Sequence, residues 1–154
     1  MMNYRVYPAT LVAGLLFFSA WMICAQSALA GDVKVEVYLL WGTDDAKSPD
    51  SSHKPVDADL KEKLKKLPLK WANYFEVNRK TVALSDGGTK KVTLSDKCDV
   101  EIKSAGKSSM EVSLFGKGEP VVKRTQTLSK GETLFLGGNA PNSTAWLVAI
   151  KRVE

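Results

Sequence analysis

The sequence predicts a mainly β fold: an antiparallel β-sandwich, or partly open barrel, of about eight to nine strands with one short helix at about 57–67. Three observations carry this. Apolar residues alternate with polar ones over short runs, and turn residues recur about every ten positions between those runs. A single segment has helical spacing, with Leu60, Leu64 and Leu67 at i, i+4 and i+7.

Val33–Trp41 is the clearest strand: Val33, Val35, Val37, Leu39 and Trp41 share one face, opposite Lys34 and Glu36. Gly42–Val56, rich in proline, serine and aspartate, lacks apolar period and reads as a loop. Asp57 then suits a helix N-cap, Lys65 and Lys66 suit the negative end of the helix dipole, and Pro68 stops the helix.

Further strands are expected at Trp71–Val77, Thr81–Ser85, Lys91–Ser95, Cys98–Lys103, Met110–Phe115, Val121–Leu128, Thr133–Leu136 and Ala145–Val153. Turns are expected at Asn78-Arg79-Lys80, Asp86-Gly87-Gly88, Asp96-Lys97, Gly116–Pro120, Ser129–Gly131 and Gly137-Gly138. In the last strand both faces are apolar, which predicts a covered strand with Trp146 as a core anchor.

Residues 1–30 have the character of a signal peptide: one early charge at Arg5, the apolar run Leu11–Cys24, and small residues at Ala28 and Ala30 before Gly31. The expected organisation is therefore a signal at 1–30 and a single β-rich domain at 31–154, periplasmic or secreted. The alternative is membrane anchoring by an uncleaved 9–25; after cleavage no stable membrane span is expected. Arg5 is the one charged residue in the signal, so cleavage takes the net charge from +5 to +4. Cys98 is then the only cysteine and excludes an internal disulfide; its strand face with Val100 and Ile102 predicts a buried free thiol.

Catalytic chemistry has few candidates. The one histidine, His53, sits among loop serines with no G-x-S-x-G elbow, so it reads as a solvated loop residue. No catalytic residues and no cofactor are assigned. Asp44, Asp45, Asp50, His53 and Asp57 crowd one stretch and are the candidate metal ligands, oxygen donors of the kind calcium takes. Aspartates in turns and at helix starts have the same composition for local hydrogen-bonding reasons. Lys61, Lys65, Lys66 and Lys70, beside Trp71, Tyr74 and Phe75, form a candidate patch for an anionic partner. Export argues against nucleic acid as that partner. Asn142-Ser143-Thr144 is a glycosylation sequon.

The leading expectation is an exported, non-catalytic binding or structural module of the cell envelope or extracellular space, with a protein or envelope component as partner. One alternative is an enzyme whose site sequence does not reveal; another is a small-ligand carrier or a binder of anionic lipid or glycan. An enzyme requires a concave site with perturbed acids, a carrier a large apolar cavity, and a binding module an exposed apolar patch or open sheet edge.

Overall fold

The structure is a computed structural model that describes residues 32–140 and 143–154. The export segment with Ala28, Ala30 and Gly31, and Asn142 of the sequon, lie outside the described residues. The chain order is β1 (Val33–Thr43), β2 (Lys54–Pro55), α1 (Ala58–Lys65), β3 (Asn73–Leu84), β4 (Thr89–Ser95), β5 (Cys98–Ser104), β6 (Ser109–Gly116), β7 (Glu119–Thr127), β8 (Thr133–Asn139) and β9 (Ala145–Arg152). Two antiparallel sheets form, one ordered β2-β3-β1-β9-β8 and the other β4-β5-β6-β7. This is the predicted β-sandwich with one short helix.

The alternation of β1 explains the layering. Val35, Val37 and Leu39 point between the sheets, where they meet Val100, Ile102, Val112 and Leu114 of the second sheet. The opposite face is wet only at its start: Tyr38 and Leu40 are buried beneath α1, with Leu60, Leu64, Leu147 and Ala149. The first sheet is thus covered on both sides, by its partner sheet and by the helix. Arg79 lies 5.4 Å over the Tyr38 ring, and the Tyr38 hydroxyl donates to Glu36 Oε2 at 2.5 Å, so the phenol titrates well above its ordinary range, chiefly through burial.

Four expectations are corrected. Asn78-Arg79-Lys80 is not a turn but the middle of β3, twelve residues long, because β3 pairs with β1 along its whole length. A register shift at Leu39/Leu40 accommodates the polar stretch, and Asn78 Nδ2 donates to Leu94 O at 2.7 Å, linking β3 to β4. Gly137 and Gly138 lie inside β8, paired with Leu147 and Trp146. The Gly116–Pro120 turn shortens to Lys117-Gly118, both at positive φ, and Pro120 joins edge strand β7.

The fourth correction concerns Trp146, which is 46% exposed. The apolar pattern of β9 is real: Leu147 and Ala149 face α1, while Val148 and Ile150 face the partner sheet. Trp146 shares the face of Val148 but lies further along the strand, beyond the residues that meet the partner sheet.

Candidate functional site

Sheet topology gathers most of the singled-out residues at one end of the first sheet: the 44–53 loop, the start of β3 and the start of β9. On the face turned away from α1, Trp41 is the cross-strand partner of both Trp146 and Phe75. Its ring centroid lies 6.0 Å from Phe75 and 6.1 Å, edge-on, from His53. Trp41 is buried by these neighbours, whereas Trp146 presents its indole to solvent. Beside it, Gly138 leaves a vacant space; a Cβ there would meet no atom within 4 Å.

The 44–53 loop behaves as a hydrogen-bonded unit. Ser48 Oγ lies 2.8 Å from His53 Nδ1, and Asp50 Oδ2 lies 3.6 Å from His53 Nε2. The histidine side chain is only 12% exposed, so its reading as a solvated residue is corrected. Serine, histidine and aspartate thus meet, but every bond is local. Ser48 Oγ accepts from Asp50 N at 3.3 Å, and Asp50 Oδ1 accepts from Ser52 N at 2.8 Å and Ser52 Oγ at 2.7 Å. The Ser52 bonds hold the Asp50 carboxyl below its usual range. A hydrolytic triad requires its aspartate to orient the histidine; here the carboxylate is spent mainly on a turn.

The candidate metal ligands are likewise used one by one. Asp44 Oδ1 accepts from Ala72 N at 3.1 Å, Asp45 accepts from Thr43 Oγ1 at 3.3 Å, and Asp57 caps α1 by accepting from Leu60 N at 2.8 Å. Among the described residues no three His, Cys, Asp or Glu side chains group so as to hold a metal ion. Asp59 has a structural role: it accepts from Lys63 Nζ at 2.9 Å and Lys151 Nζ at 2.7 Å, tying α1 to β9.

The lysine patch divides. Lys61 and Lys65 border a groove of about 210 Å³ between α1 and the segment from Leu69 to Phe75. Lys66 instead borders an open hollow on the β8 side of α1, and Lys70 lies 5.4 Å over the ring of Trp71. Trp71 donates from Nε1 to Ser143 O at 2.8 Å, which pins the groove wall to the loop before β9. Burial and the nearby Asp44 charge raise the Tyr74 phenol above its ordinary range. The groove itself escaped the sequence; its one signal was the Lys61/Lys65 spacing of four on a helix beside an aromatic-rich segment.

Cys98 lies at the margin of the inter-sheet core, half-buried rather than fully buried, and burial raises its thiol above the usual range. Comparison with protein-family models, with characterised proteins and with solved structures finds no match. No helix among the described residues is long and apolar enough to cross a membrane.

Proposed function

We propose that the chain is an exported, non-catalytic binding module of the cell envelope or extracellular space, and that it engages a protein or envelope component through the aromatic end of its first sheet. The observation that carries this is the exposure of Trp146 on an interior strand of the sheet, next to buried Trp41 and the vacant space at Gly138. Tryptophan gives a large, rigid, amphipathic contact surface, and it is enriched where binding energy concentrates. The strand fixes its backbone, which leaves only side-chain ordering to oppose binding.

The rival readings have less support. Side-chain hydrogen bonds hold the carboxyls of Asp50, Asp59, Glu62 and Asp99 below their ordinary range, away from the raised values of a general acid. A carrier needs an apolar cavity, and the two hollows described above both lie beside α1, outside the sandwich. Edge strand β7 exposes Val121, but Pro120, Lys123 and Arg124 blunt it against strand addition.

The test compares capture from the envelope fraction of the protein's own host by wild type, Trp146→Ala and Ser48→Ala. A component held by wild type and Ser48→Ala but lost from Trp146→Ala supports the reading. Hydrolysis of ester or amide substrates that disappears in Ser48→Ala would replace it with an enzyme.

A further inference from the structure

We infer that the groove between α1 and the start of β3 is a binding site for a small amphipathic carboxylate, a fragment-sized acid with an apolar body. This goes beyond the proposed module function and stands independently of Trp146, which lies on the other face of the sheet.

The groove pairs two chemistries. Its walls include buried Leu64 and Trp71, together with the partly buried Val56, Leu67 and Tyr74. The indole nitrogen of Trp71 is already bonded to Ser143 O, so that wall offers a ligand apolar ring surface only. At the mouth stand Lys61 and Lys65, one helical turn apart and both exposed. Among the described residues Lys61 has no ion-pair partner, and Lys65 has only Glu62, at 2.7 Å on the exposed helix surface. Such exposed pairs contribute little and exchange readily.

Charge and size select the occupant. Two ammonium groups above an apolar wall favour a single anionic head on an apolar tail and repel a cation of the same shape. Asp44, whose charge acts on Tyr74, has Oδ1 bonded to the Ala72 amide at the strand end of the groove. A volume of about 210 Å³ lies below the ~300–1,000 Å³ of sites for drug-sized ligands, hence a fragment-sized acid.

The test is calorimetric titration of the purified protein with sodium octanoate, alongside octanol and octyltrimethylammonium at submicellar concentrations. Saturable octanoate binding is expected, at least tenfold tighter than octanol, with none for the cation. It should weaken at least tenfold in Lys61→Gln/Lys65→Gln, remain in Lys90→Gln, and remain in Trp146→Ala, which separates this site from the proposed binding face. NMR shifts should centre on Leu64, Trp71 and Tyr74. Equal binding of octanol, indifference to loss of the two lysines, or no saturable binding would overturn the inference. So would binding to anionic lipid vesicles without binding of monomeric octanoate, which would assign the lysines to a membrane surface.

Discussion

Trp41 and Trp146 face one another across the β1–β9 ladder, yet the first is 8% exposed and the second 46%. Directly opposed residues on one sheet face share the same environment only when the layer above covers both. Here Phe75 and His53 pack on Trp41 from the β3 side, whereas Trp146 has Gly138 on its β8 side.

Trp146→Ala should therefore shift stability by no more than about 1 kcal/mol, since surface substitutions mostly stay within ±0.5. Trp41→Ala should cost the ~3–5 kcal/mol typical of a large aromatic removed from a core. Urea unfolding of both variants checks this. With Trp41 and Trp71 replaced by Phe, emission from Trp146 in residues 31–154 should be red-shifted and readily quenched by iodide. Blue, protected emission would return Trp146 to the core.

Much of the fold was legible because burial follows period. Val33–Trp41 and Cys98–Lys103 alternate, and each became a strand with its apolar face between the sheets. Asn78-Arg79-Lys80 misled because local turn preference lost to continuous pairing with β1. Trp146 misled because periodicity reports which face a residue occupies, not how far the opposing sheet extends. At the candidate sites, Lys61 and Lys65 were visible from helical spacing. Their convergence on Leu69 and Trp71 was not, because it depends on the path of the irregular segment after α1. The Ser48–His53 contact lies within a loop, where no period operates.

Asp57 should behave as a cap rather than a metal ligand. Its carboxylate satisfies the Leu60 amide, and helix caps replaced by alanine typically cost about 1 kcal/mol. Asp57→Ala should lower the unfolding midpoint accordingly and Asp57→Asn should largely restore it. Calcium should leave all three midpoints unchanged; a calcium-dependent rise confined to the wild type would reinstate the metal site.

The Asp59 bridge predicts a specific pH dependence. Hydrogen bonds from Lys151, then Lys63, hold the Asp59 carboxyl below its ordinary value, and the bond to Asp59 raises Lys151. A depressed carboxyl contributes stability above its unfolded value of about 4, lost as pH falls through the folded value. A raised ammonium contributes below its unfolded value of about 10.4, lost as pH rises through the folded one. Asp59→Asn should flatten both the acid and the alkaline limbs of the melting temperature against pH. Unaltered limbs would show that the exposed bridge is screened to insignificance.

Cys98 should react with thiol reagents more slowly in native than in denatured protein, because burial, then the adjacent Asp99 charge, suppresses its thiolate. Its native rate should climb with pH above the ordinary thiol range of about 8.5. Equal native and denatured rates at neutral pH would place the sulfur outside the core margin.

The sharpest contrast lies between neighbouring glycines of β8. A Cβ at Gly137 would fall 2.3 Å from the carbonyl oxygen of Trp146 and 2.9 Å from Leu147 Cα. Both are backbone atoms of the partner strand, so relief requires moving the β8–β9 ladder itself. Gly138 pairs with Trp146, has no left-handed φ, and would present its Cβ to open space. Gly137→Ala should therefore destabilise by at least the ~1–3 kcal/mol of ordinary overpacking. Gly138→Ala should be neutral or stabilising by up to about 1 kcal/mol, because alanine restricts the unfolded chain more than glycine does. Gly138→Leu should also fold, while filling the space beside Trp146. If that space belongs to the binding face, Gly138→Leu loses the captured component at unchanged melting temperature, as Trp146→Ala does. Retained capture in a folded Gly138→Leu would show that the partner approaches Trp146 from another side, and a destabilised Gly138→Ala would contradict the openness of the site itself.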